Sequence, residues 1–104
     1  MDNKNKNKDK FLAIEKTAIN NNQFSLVDSD VYIREGNFFA SANNALYGSF
    51  AKQNGVLSIG TVVYFQDFNL KDIYFINAAA GSNTVINFQG VIMSEGRKKE
   101  MGVA

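Results

Sequence analysis

Residues 56–93, VLSIGTVVYFQDFNLKDIYFINAAAGSNTVINFQGVIM, are the longest apolar-rich stretch of the chain and read as strand, turn, strand, turn, strand. Tyr74 and Ile76 alternate with Ile73 and Phe75, so this strand offers apolar side chains on both of its faces. Beyond the turn AAAGSN, Ile86, Phe88 and Ile92 share one face, with Gly90 between them. Asn87, Gln89, Val91 and Met93 fall on the other face. These last two strands are expected to form a hairpin, and a hairpin needs a second sheet against it to persist in water. The pattern is that of a small β-sandwich.

The same alternation continues toward the N-terminus. FLAIEKTAI fits either a helix face behind an Asp9 cap or a strand, and the all-β surroundings favour the strand. After the loop INNNQ come FSLVD and then DVYIREG, with Val31 and Ile33 inward and Tyr32 and Arg34 outward. Gly36 is expected to end this strand as a turn or bulge. NFFASA and ALYGSFAK are joined by Asn43-Asn44, read as a two-residue hairpin turn. Leu46, Gly48 and Phe50 then share one face, with Tyr47 opposite. Asn54-Gly55 is the strongest hairpin signal and fits a type I′ turn.

Turn signals fall near 20–22, 28–30, 36, 43–44, 54–55, 69–70 and 80–83. That spacing belongs to an all-β sandwich or jelly roll. The predicted fold is all-β: a single jelly roll or related antiparallel β-sandwich with flexible N- and C-terminal tails. Residues 1–10 form a basic arm, 11–93 one domain of seven or eight strands, and 94–104 a C-terminal tail. The predicted core is Ile33, Leu46, Phe50, Val63, Phe65, Ile73, Phe75, Ile86, Phe88 and Ile92.

Composition narrows the chemistry. With 104 residues there is room for one core, and with no cysteine there is no disulfide, thiolate metal site or cysteine nucleophile. Histidine is absent too, which removes the commonest general base and transition-metal ligand. No catalytic residue, metal or cofactor is expected. The pair Asp28 and Asp30 flanks Ser29 and could supply part of a calcium site, joined in space by Asp67 and Asp72. The favoured reading makes them turn formers. Proline is absent, and its turn duties pass to fourteen Asn and eight Gly.

Net charge is +1, spread unevenly. Residues 1–10 carry four Lys against two Asp, residues 95–100 three cations against two Glu, and the body between four cations against six carboxylates. A slightly acidic body with basic ends points to tails that touch something anionic. The contact candidates are Lys4, Lys6, Lys8 and Lys10 on the arm, with Arg97, Lys98 and Lys99 at the other end. No apolar run approaches the roughly eighteen residues that span a bilayer, and the basic N-terminus is not followed by a secretory pattern. The protein is expected to stay in the cytoplasm that makes it unless it leaves within an assembly.

Three segments carry a resemblance. They are Arg34-Glu35-Gly36-Asn37-Phe38, Gly60 followed by a strand ending in Phe68, and Asp72-Ile73-Tyr74-Phe75-Ile76-Asn77 running through Gly81 to a last strand that closes at Gly90. Over residues 28–93 the chain resembles small jelly-roll virion proteins of tailless, membrane-containing bacteriophages, of the penton, spike-base or minor capsid type. The resemblance implies a structural protein of the virion, made in the host cytoplasm, with no active site. It would form a homo-oligomer, a pentamer if it is a penton, and pack against other capsid proteins. The basic arm would reach a membrane or the genome, with no small-molecule substrate.

Apolar residues on faces assigned outward supply the subunit-contact candidates: Tyr32, Tyr47, Tyr64, Tyr74 and Val91. Two other classes compete. One is a carbohydrate-binding or adhesive β-sandwich using exposed Tyr and Asn, weakened by the lack of Trp. The other is a single-stranded nucleic-acid-binding barrel using Tyr32, Tyr47, Tyr64 and Phe38 as a stacking platform, weakened by the acidic body.

Overall fold

The computed structural model describes residues 10–19, 22–78 and 83–103. Among them are eight strands: β1 (Lys10–Ala18), β2 (Phe24–Ser25), β3 (Tyr32–Ala40), β4 (Ala45–Ser49), β5 (Lys52–Leu57), β6 (Val63–Asn69), β7 (Tyr74–Asn77) and β8 (Thr84–Ile92). A 3₁₀ turn at Leu70–Asp72 links β6 to β7, and one helix, α1 (Glu95–Met101), follows β8. Residues 1–9, 20–21, 79–82 and 104 lie outside the described residues, and with them Lys4, Lys6, Lys8, Gly81 and parts of two expected turns.

The strands form two antiparallel sheets, ordered β1-β8-β3-β6 and β2-β7-β4-β5. The pairs β1·β8, β2·β7, β3·β6 and β4·β5 nest around the β4–β5 hairpin, like one long hairpin folded over on itself. This is a jelly roll. Among the described strands, β4 and β5 alone are consecutive in one sheet, and each other consecutive pair lies in opposite sheets.

That topology corrects two expected hairpins. Residues 41–44 and 78–83 both connect strands of opposite sheets. Alternation says that each strand buries one face; it does not say whether two strands lie side by side or face each other across the core. The Asn43-Asn44 pair serves the crossing through both backbone and side-chain hydrogen bonds. Asn43 receives Thr84 Oγ1 on its carbonyl, and its Nδ2 donates to Asn83 O at 2.7 Å. Asn44 Oδ1 accepts from the Ile59 amide at 2.9 Å, tying the β5–β6 loop to the same end.

Two glycines expected in turns sit inside strands instead. Gly36 lies within β3 opposite Gly90 of β8, and a Cβ built on it would fall 2.3 Å from Phe88 Cε1. The bulge expected there lies earlier, between Ile33 and Glu35 against β8. Gly55 lies within β5 under the Tyr47 ring, where a Cβ would approach Cζ to 2.5 Å. The hairpin turn is at Phe50-Ala51, with Ala51 at φ 62°. Both glycines mark the close approach of a ring.

The core centres on Phe38, which meets Phe88, Phe75, Phe65 and Phe68 at ring-centroid distances of 5.0, 5.4, 5.6 and 5.9 Å. Tilted and edge-on pairs suit the ring quadrupole. Of the predicted core, Ile33, Phe75, Ile86 and Phe88 are buried, and Val63, Phe65, Ile73 and Ile92 pack against them. Leu46 and Phe50 are corrections. In ALYGSF both faces carry apolar residues; β4 turns Ala45 and Tyr47 inward, so Leu46 faces out. Phe50 lies beyond the strand in the turn and is 67% exposed.

The C-terminal segment was expected as a tail, and residues 94–103 instead carry a capped helix. Ser94 Oγ accepts from the Arg97 amide at 3.1 Å, and Gly102 closes α1 at φ 74°. EGRKKEM has no apolar period to announce a helix, so only its caps mark it. Lys10, expected in the arm, belongs to β1.

Candidate interaction surface

The outer face of the β2-β7-β4-β5 sheet follows from its register. Leu46 stands opposite Ile76 on one side and Val56 on the other, making an apolar row across three strands. The flanking Ala45 and Asn77 are buried beneath it, and Val56 is 57% exposed. In the next row Tyr74 stands opposite Gly48 and Ser25. Gly48 has no side chain to offer, and Phe50 leans edge-on against Tyr74 with ring centroids 5.4 Å apart. Ile76, Leu46, Val56, Tyr74 and Phe50 thus form one apolar patch facing away from the core.

The outer face of the other sheet differs. Phe11, Tyr64 and Val91 line a shallow depression of about 170 Å³ together with Glu35, Asn37 and Gln89, and with Gly36 and Gly90. Phe11 and Tyr64 are 70% and 50% exposed. The bulge in β3 sets Arg34 next to Glu35, and their side chains pair at 3.2 Å.

At one end of the sandwich, Tyr32, Phe68, Ile73 and Met93 meet Met101 and Val103 from the region of α1 across a groove of about 340 Å³. Arg97 Nη2 pairs with Asp67 Oδ2 at 2.8 Å, fastening α1 to β6. Lys98 Nζ approaches Glu95 Oε1 at 3.5 Å. Both pairs are partly exposed, so each contributes at most about 1 kcal/mol. Asp67 takes φ 50° within β6, a left-handed conformation that Asp tolerates better than most residues.

The sequence candidates therefore separate. Tyr64 and Val91 come together on one outer face, Tyr74 lies on the opposite face, and Tyr32 lines the groove near α1. Tyr47 turns inward and packs edge-on against Phe65 at 5.9 Å, which corrects its outward assignment. Phe38 is the buried hub and cannot belong to a surface platform. Among the basic candidates, Arg97 and Lys98 are engaged with carboxylates, while Lys10 and Lys99 are exposed.

Asp28 and Asp30 are exposed, and Asp30 Oδ1 accepts from Asn69 Nδ2 at 3.0 Å. Asn69 Oδ1 in turn accepts from the Val31 and Lys71 amides at 3.1 and 3.2 Å, so Asp30 belongs to a loop brace. Asp67 is drawn toward Arg97. Among the described residues no three Asp or Glu side chains gather in a metal-binding group. No helix among them is long and apolar enough to cross a membrane.

Sequence reasoning missed Leu46, Val56 and Phe50 as surface residues, and Phe11, Asn37 and Gln89 as neighbours of Tyr64. A usable signal existed for the first group, because ALYGSF carries apolar residues on both faces just as IYFI does. The second group needed the pairing of four strands, which no local pattern reveals. No family model matches the chain, and no curated protein matches it either.

Proposed function

We propose that this chain is a non-enzymatic structural protein of a virion, a small penton or minor capsid subunit that assembles with copies of itself. One observation carries this reading. The row Ile76–Leu46–Val56, with Tyr74 and Phe50 beside it, is an apolar patch on the outside of a sandwich whose one inner layer is already filled. Apolar residues gathered outside the core call for a partner, and a sister subunit in closed symmetry is the simplest one. The jelly roll suits the role. Its pairing leaves only β1, β6, β2 and β5 at sheet edges, so copies can meet through faces.

The arm adds a second contact in this reading. Lys4, Lys6, Lys8 and Lys10 would meet an anionic membrane or the genome, each lysine near an anionic surface adding about 1 kcal/mol. Other capsid proteins are the remaining neighbours. Electron cryo-microscopy of the purified full-length protein tests the proposal. Closed rings or shells with the β2-β7-β4-β5 faces at the subunit contact are expected. Isolated monomers at every concentration, with and without anionic vesicles, would overturn it.

A further inference from the structure

The geometry points to a saccharide-binding site in the depression on the outer face of the β1-β8-β3-β6 sheet, taking a neutral sugar ring between Phe11 and Tyr64. The register sets the walls. Phe11 stands opposite Val91 on β8, and Tyr64 stands opposite Asn37 on β3. Neighbouring strands are about 4.8 Å apart, so the backbones of β1 and β6 lie three spacings, about 14 Å, from each other, and both rings line the depression over the two strands between them. Between them, Gln89 of β8 stands opposite Asn37 of β3 in the strand register, giving a floor of two carboxamides. Gly36 and Gly90 lie at the same level, and the side chain each lacks would point inward at Phe88.

Two observations separate this depression from ordinary polar surface. Asn43, Asn44, Asn69, Asn77 and Asn87 all use their side chains in hydrogen bonds that hold loops and strands. Asn37 and Gln89 have no such partner among the described residues, so their donors and acceptors are available to a ligand. The second observation is size. At about 170 Å³ the space is well below that of drug-sized sites, which run from roughly 300 to 1,000 Å³, and is on the scale of one ring.

The chemistry then selects the ligand. A sugar ring offers C–H faces to aromatic walls and vicinal hydroxyls to planar amides, each amide both donating and accepting. Glu35 is paired with Arg34, and no lysine lines the depression, so nothing there favours a phosphate or a nucleic-acid backbone. The site does not depend on self-assembly. An assembly would repeat it and raise its avidity on a multivalent glycan.

Saturation-transfer NMR on the full-length protein tests this, with the methyl glycosides of glucose, galactose, mannose and N-acetylglucosamine as probes. At least one should bind with a Kd of roughly millimolar order, and Tyr64→Ala and Asn37→Ala should each weaken it about tenfold or more. Tyr64→Phe should restore most of the affinity, because the ring face remains. Both positions are exposed, so a circular dichroism spectrum unchanged from wild type should accompany the loss. Failure of all four glycosides to bind, binding indifferent to both alanine variants, or displacement of the sugar by a short oligothymidine would each overturn the assignment.

Discussion

Gly36 and Gly90 face each other across β3 and β8 with the Phe88 ring beneath them, and the two should respond differently to the same substitution. In Gly36→Ala the new methyl would lie 2.3 Å from Phe88 Cε1 and 2.7 Å from Cζ, while the nearest backbone atom, Gln89 O, is 3.3 Å away. The obstacle is a ring. In Gly90→Ala the methyl would meet Phe88 Cζ at 2.5 Å, and also Glu35 O at 2.7 Å and Gly36 Cα at 2.9 Å. There β3 itself must move. Overpacking of this kind costs about 1–3 kcal/mol, offset by about 0.4–1 kcal/mol from a less flexible unfolded chain. Gly36→Ala should therefore destabilise by about 1–2 kcal/mol and Gly90→Ala by more, since a shifted strand also strains its ladder.

Shrinking the ring separates the two causes. In a Phe88→Leu background Gly36→Ala should become close to neutral, a coupling of about 1–2 kcal/mol, whereas Gly90→Ala should stay costly. Urea unfolding followed by circular dichroism gives all six stabilities from midpoints and slopes. Equal coupling for both glycines would refute the claim that one is blocked by a ring and the other by backbone. So would a wild-type midpoint for Gly36→Ala.

Three further outcomes follow from the packing. Phe38→Ala should cost about 3–5 kcal/mol, because the ring is buried among four others, while Phe50→Ala, 67% exposed, should change monomer stability by less than about 0.5 kcal/mol in urea titrations. Asn77, 2% exposed, donates from Nδ2 to Ala18 O at 2.8 Å, and Asn77→Ala should cost about 1–3 kcal/mol and speed amide exchange at the end of β1. Ser94→Ala should remove about 1 kcal/mol from α1 alone, visible as faster exchange at the Arg97 amide with the sheets unaffected.

Much of the fold was legible in strand content and little of it in connection. IYFI and INFQGVI were readable as strands because their apolar residues alternate over enough positions to fix which face is buried. Their placement in opposite sheets was not readable, since a strand looks the same whether its successor lies beside it or across the core. Glycine misled twice for one reason. A residue without Cβ serves a turn and a close-packed ring equally well, and at Gly36 and Gly55 the ring lies far away in sequence or on a neighbouring strand. The outer apolar patch was half legible: Tyr74 and Ile76 stood out, but Leu46 was assigned inward in place of Tyr47. Alternation along a strand expected to run through Phe50 put Leu46, Gly48 and Phe50 on one face, but the strand ends at Ser49 and Phe50 falls in the turn.

The central claim is that the face carrying Ile76, Leu46 and Val56 meets another copy of this chain, and sedimentation velocity over a concentration series tests it most directly. Wild-type protein should sediment as a discrete oligomer whose population grows with concentration. The variant Val56→Asp with Phe50→Ser, altering two exposed side chains, should remain folded and sediment as a monomer throughout. A wild-type monomer at high micromolar concentration, or an oligomer that survives both substitutions unchanged, would contradict the account.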